Sequence, residues 1–337
     1  MVKSLRRRKL AVTLAGTVLA LSLGGCAAED PPIAAAPGAG QNGNQLLTPW
    51  LNINGGWRTD PQQPFRAAPA AGPRLLFVQP VGVAARGDVL LVADAGARTL
   101  WRLDRSRDSM APFAPFAGGG PEQGASLHLG NDLSAWVALP TEHSVAQYDA
   151  RGRLVRSWRD EANAPRPAAF AVPEDRSALL VGDGASAQII VFDPLGRVLR
   201  LLGRGRAQAL QSIAAMSFGP GGLYVLDRIA QQVVVLGAEG EVLELVGENQ
   251  LVRPRALAVD RSGRVFVSDD SDQRIKVFRH GQLLATAGGT GAGPGRFGRI
   301  EAMAVDGNLL YVADSLNARI QVLLVAPPSM ERPGASP

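Results

Sequence analysis

The chain repeats itself about every 44 residues, and no other property restricts its fold as tightly. Four segments show the unit: LLYVADSLNARIQVL (309–323), RVFVSDDSDQRIKVF (264–278), GLYVLDRIAQQVVVL (222–236) and ALLVGDGASAQIIVF (178–192). Each is an apolar, β-branched run, an Asp, four residues, an Arg or Gln, then a second apolar run. With Asp94 the aspartates are Asp94, Asp183, Asp227, Asp269 and Asp314, at intervals of 89, 44, 42 and 45 residues. The first interval spans two repeats, and SAWVALPTEHSVAQYD (134–149) fills the gap with Leu139 in the Asp position. A period of this length signals an array in which no unit buries its apolar face alone.

A second series has the same period. Gly152, Gly196, Gly240 and Gly281 each sit in a turn after the second apolar run. Glycine supplies the positive φ that tight hairpins need. Each turn leads into another short strand: RLVRSW, RVLRLLG, EVLELVG and QLLATAG. Small-residue strands such as AFAV (169–172), ALAVD (256–260) and AMAVD (302–306) precede the Asp-bearing ones. Four antiparallel strands per unit is the pattern of a propeller blade, with the alanine-rich strand innermost where blades converge. The fold class is therefore all-β, a six-bladed β-propeller of four-stranded antiparallel blades, with the repeats spanning 74–325. The last unit has three strands before a Pro-rich tail, 327–337. Arg74-Leu75-Leu76-Phe77-Val78 is expected to supply its fourth, so that an N-terminal strand closes the ring and leaves no open sheet edge.

The segments 312–322 and 267–277, with Gly295-Arg296-Phe297 before the last repeat, resemble NHL repeats. The resemblance covers about three quarters of the chain and is weakest in the second unit. It implies that the repeated residues shape the blade. Asp94, Asp183, Asp227, Asp269 and Asp314 are expected to fix turns by accepting backbone N–H bonds. Arg274 and Arg319 are expected to pair with a nearby carboxylate or carbonyl. NHL propellers bind RNA or proteins on the face that carries these turns.

The N-terminus reads as an address. Lys3, Arg6, Arg7, Arg8 and Lys9 precede an uncharged apolar stretch, 10–25, which is short for a membrane span. Leu23-Gly24-Gly25 then leads to Cys26, the single cysteine of the chain. This resembles a bacterial lipoprotein signal peptide (1–25) with its lipobox. The resemblance implies cleavage before Cys26, lipidation of its thiol, and a cell-envelope location, with the outer membrane favoured in a Gram-negative organism because Ala27 follows. More than one acyl chain is needed for stable anchoring. Residues 26–72, rich in Ala, Pro and Gly, read as a flexible tether, and the propeller is assigned to 73–326. Within the tether, Trp50 and Trp57 are expected to dock on the propeller surface; the alternative is a partner-binding peptide.

The address changes the meaning of the charge. The whole chain carries +5 with a pI near 9.9. Without residues 1–25 it has 30 basic and 30 acidic residues. Net charge is thus no argument for nucleic acid, which the envelope address also disfavours. The expected partners are the membrane, through the lipid, and an envelope protein, glycan or anionic ligand. One positive feature remains: Arg204, Arg206, Arg253, Arg255, Arg296 and Arg299 fall in loops joining successive blades. They face few acids, among them Glu122, Asp160, Glu161 and Glu248. Guanidinium groups in such a setting suit carboxylates and phosphates.

An enzyme is the competing expectation. The chain looks distantly like peptide-amidating lyases, which use a His-lined metal, and like gluconolactonase-type hydrolases, which use Glu, Asn and Asp around a channel metal. His128, His143 and His280 are not expected to converge. Glu301 is a lone candidate ligand, with a solvated surface role preferred for it. No catalytic residue, metal site or cofactor is assigned.

Overall fold

A computed structural model describes residues 46–59, 73–116, 124–159, 166–202 and 210–328. The signal peptide, Cys26, Arg204, Arg206 and all but the start of the Pro-rich tail lie outside these residues.

Six antiparallel four-strand blades form the fold. Blade one comprises Pro80–Arg86, Val89–Asp94, Thr99–Asp104 and Ser109–Pro115; blade two Leu127–Leu129, Ala135–Leu139, Ser144–Tyr148 and Leu154–Arg159. Blade three comprises Pro167–Ala171, Leu179–Asp183, Ile189–Phe192 and Val198–Leu202; blade four Ala215–Gly219, Gly222–Asp227, Gln232–Leu236 and Val242–Val246. Blade five comprises Pro254–Val259, Val265–Asp269, Arg274–Arg279 and Gln282–Gly288. Blade six takes Ile300–Asp306, Leu309–Asp314 and Arg319–Val325 from the C-terminal end of the chain and Leu47–Ile53 from the N-terminal end. The four expected hairpin glycines all have positive φ: 77° at Gly152, 91° at Gly196, 82° at Gly240 and 69° at Gly281.

The closing strand differs from the sequence expectation. Leu47–Ile53 pairs antiparallel with Arg319–Val325, from Leu47 opposite Val325 to Ile53 opposite Ile320. Arg74–Leu76, expected in that place, instead pairs with Gly55–Arg58 on the outer edge of blade one. The ordered domain therefore begins well before residue 73. Pro49 disguised the strand: the register shifts between Pro49 and Leu51, and an outer strand tolerates the missing N–H at such a bulge. Gly55, at φ 150°, lets the chain pass where a Cβ would stand 1.9 Å from the Leu75 carbonyl oxygen. Both tryptophans are seated: the Arg105 guanidinium lies 5.1 Å from the Trp50 ring and that of Arg74 lies 5.7 Å from Trp57.

Apolar strand faces meet between blades, not inside them. Leu91, Leu100, Val137 and Ala146 form the core between blades one and two, and Phe266, Ile275, Ile300 and Leu310 that between five and six. Tyr311, Ile320, Val83 and Leu103 join blade six to blade one. Each blade is thus stabilised by its two neighbours, and the ring depends on its seam.

The repeated aspartates tie each blade to the loop that enters it. Asp94 accepts from the backbone N–H groups of Val78 and Gln79 and from Ala97 in its own turn. Asp183 accepts from Arg166 and Ser186, Asp227 from Gln211, Ile229 and Ala230. Asp269 binds the N–H groups of Val252, Arg253 and Ser271 and the Lys276 ammonium at 2.8 Å. Asp314 binds those of Gly298 and Arg299 and the Arg319 Nε at 2.9 Å. Each carboxylate thus replaces the backbone partners that a loop of this length lacks. Arg319 also reaches the carbonyls of Ala292 and Arg296. Arg274 lies at the surface, 3.9 Å from Asp272.

Candidate functional site

A propeller has two faces. The loops joining blades share one face with the Asp turns, called the loop face below; the hairpins between strands one and two, and three and four, form the opposite hairpin face. The central channel opens on the loop face into a cavity of about 340 Å³, and on the hairpin face into one of about 810 Å³.

Irregularities in the innermost strands shape the loop-face mouth. Ladder register shifts between Pro254 and Leu257 and between Ile300 and Ala302. A bulge re-aims the residue it adds, and here the skipped residues include Arg255 and Glu301, both of which line the mouth. The Glu301 side chain has no exposed surface, and that of Arg255 is 10% exposed. Arg255 donates to Glu301 Oε2 at 2.9 Å and to Asp270 Oδ2 at 3.0 Å. The Arg299 Nε lies 2.9 Å from Glu301 Oε1, although out of line for a hydrogen bond. Burial pushes the Glu301 carboxyl above its ordinary value, and Arg255 and Arg299 offset part of that shift. Burial holds Asp270 back as well, but bonds from Gln273 and Arg255 leave it below the usual carboxylate range. Glu301, expected at a solvated surface position, is therefore buried, and its charge is paired with two guanidiniums.

Arg228 completes the group and was not singled out by the sequence, because it follows Asp227 in a turn instead of lying between blades. It lines the same cavity and makes no hydrogen bond or ion pair among the described residues. Burial lowers its pKa, and repulsion from Arg255 adds to that shift. Among the described residues, three guanidiniums thus meet two carboxylates at the mouth, an excess of one positive charge. Ile213, Met216, Leu257 and Met303 line the cavity beneath.

The other expected arginines do not converge here. Exposed Arg253 donates to the carbonyl of Asp270 in the turn of blade five, and exposed Arg296 to that of Gly288 at the end of the preceding strand. The histidines are dispersed. His128 lies in the inner strand of blade two, edge-on to Trp136 at 5.3 Å, and burial with Arg86 and Arg176 nearby pushes its pKa down to about 4. His143 ends the short helix Pro140–Glu142 in the loop-face turn of blade two, and His280 sits in a hairpin of blade five. Among the described residues, no three His, Cys, Asp or Glu side chains are placed to hold a metal ion.

Comparison with known proteins bears on the architecture. No protein-family model matches the chain, and no curated protein sequence matches it. Solved structures do. A structural-genomics protein of unknown function from Bacteroides thetaiotaomicron superposes with a TM-score of 0.62 at 14% identity, covering 82% of this chain and 76% of its own. Virginiamycin B lyase from Staphylococcus aureus gives 0.54 at 10% identity, over 74% of this chain and 96% of its own. Kuenenia stuttgartiensis hydrazine synthase gives 0.52 at 16% identity, over 76% and 85%. At these identities the likeness shows the fold alone, and that fold is the β-propeller.

Proposed function

We propose that this protein is a lipid-anchored cell-envelope propeller of NHL type, held to the membrane through Cys26 and acting as a non-catalytic binding platform. Its ligand is an anionic small molecule, a glycan bearing acidic groups, or an acidic segment of an envelope protein. The observation that carries this reading is the excess guanidinium charge at the loop-face mouth. Among the described residues Arg228 makes no hydrogen bond or ion pair, and it lies over an apolar floor, while Arg255 and Arg299 are ion-paired with Glu301. A charge-assisted hydrogen bond to such a guanidinium contributes about 1.5–3 kcal/mol. Arg253 and Arg296 add exposed positive charge elsewhere on the loop face.

The test is affinity purification of the anchored protein from its own membranes, beside the double variant Arg228→Glu, Arg253→Glu. The expected result is a stoichiometric acidic partner or ligand that the variant retains at least about ten-fold less well, a difference of about 1.4 kcal/mol. Equal retention by the variant would contradict the proposal. So would one bound divalent ion per chain together with turnover of a lactone, which would point to a metal-dependent hydrolase.

A further inference from the structure

The fourth strand of a blade is its outermost, and in blades two to five it begins with bare apolar side chains. Leu154 and Val155 in blade two, Leu199 in blade three, Leu243 in blade four, and Leu283 and Leu284 in blade five are between 38% and 60% exposed. All six lie within three residues of the hairpin that precedes their strand. They therefore recur at equivalent positions along the rim of the hairpin face. Single exposed apolar residues need no explanation, but a recurring band marks a contact surface. Blades one and six break the band. Gly55–Arg58 covers the outer strand of blade one, and Leu47, which opens the outer strand of blade six, is 4% exposed.

The gap is where the chain enters. Leu47–Ile53 is the fourth strand of its blade, so its first residue lies on the hairpin face. The Leu46 carbonyl accepts from the Ala326 N–H there at 2.9 Å. Residues 27–45 separate that point from Cys26; if this stretch is the flexible tether its composition suggests, it would span roughly 25 Å. A lipid on Cys26 would thus hold the hairpin face within reach of the bilayer. Charge at the rim is largely paired, Arg153 with Asp149 at 2.7 Å and Arg197 with Asp193 at 2.6 Å. Apolar insertion at the headgroup level accounts for the band better than attraction to anionic lipid does.

We infer that the hairpin-face rim of blades two to five rests on the lipid bilayer, so that the cationic mouth faces away from the membrane. This rests on the anchored reading of Cys26. It is tested on the full lipoprotein reconstituted in phosphatidylcholine vesicles. Leu199→Cys and, on the loop face, Glu248→Cys are each labelled with an environment-sensitive fluorophore; lipidated Cys26 does not react. Spin-labelled lipid is expected to quench the label at 199 at least three-fold more strongly than that at 248. Equal quenching, or stronger quenching at 248, would overturn the inference. So would shielding of the 199 label without vesicles, which would assign the band to a second copy of the chain. Mass measurement of the N-terminal peptide separates the two claims: an unmodified Cys26 overturns the anchor and the orientation with it, whereas a lipidated Cys26 with unquenched 199 overturns the orientation alone.

Discussion

Deleting residues 46–58 is expected to abolish cooperative unfolding of the propeller, whereas deleting residues 27–45 is expected to leave it intact. The difference follows from the seam. Leu47–Ile53 supplies the outer strand of blade six; Leu47 is buried in the core between blades five and six, and Trp50 and Ile53 pack on that between six and one. Burying one large apolar side chain contributes about 1.5–3 kcal/mol. Buried Leu47 and the partly buried Trp50 and Ile53, with the lost strand pairing, amount to a large part of the roughly 5–15 kcal/mol that stabilises a folded domain. Blade six would also expose the edge of Arg319–Val325, and an open edge invites association. Urea titration followed by tryptophan fluorescence and circular dichroism checks the outcome. A chain lacking 46–58 whose two probes still unfold together at the native midpoint would show that the ring closes some other way.

The second large effect is expected from Asp269→Ala. The Asp269 side chain is fully buried, and it accepts from three backbone N–H groups, the Ser271 hydroxyl and the Lys276 ammonium. Alanine removes the acceptor of all these donors and leaves the largely buried Lys276 ammonium with only the Gln250 carbonyl. Breaking a buried pair in this way costs about 3–5 kcal/mol, enough to lower the Tm by roughly 6–20 °C in a domain of this size. Asp272→Ala, at the surface nearby, should change the Tm by no more than 2 °C. The sign of the pH dependence also follows. Although burial acts against it, bonds from Lys276, Ser271 and the backbone hold the Asp269 carboxyl well below its unfolded value. Its contribution is present above about pH 4 and lost as the pH falls below that. The variant should therefore lose less stability than the native chain between pH 4 and pH 2 in a thermal melt. Equal losses would remove Asp269 from the acid response.

Features that recur were legible in the sequence. The Asp positions stand out because five blades turn alike and the Gly positions because four hairpins do; the carboxylates accept loop N–H groups and the glycines have positive φ. Leu139 shows the converse: blade two lacks the Asp yet keeps the turn, through a short helix Pro140–Glu142 like the Ser315–Asn317 turn of blade six. Features that occur once were hidden. The closing strand carries Pro49 at its bulge and is followed by Gly55 and Gly56, so it reads as a linker; only its tryptophans hinted at burial. Arg255 and Glu301 lie one repeat apart, 46 residues, at equivalent bulges of successive inner strands; the period aligns them, but only the fold shows that this bulge turns its residue toward the channel. Arg228 could have been found by asking which residue follows the Asp in each blade, since the turns converge at the channel mouth.

The functional claim is most directly tested by photo-crosslinking in living cells, with a benzophenone side chain placed at exposed Ile229, beside Arg228 at the mouth, or at Leu199. The loop face is predicted to be the occupied one. Position 229 should then yield one discrete protein or glycan adduct, weakened by raising the salt concentration, while position 199 yields lipid adducts only. A discrete protein adduct at 199, with none at 229, would contradict the account.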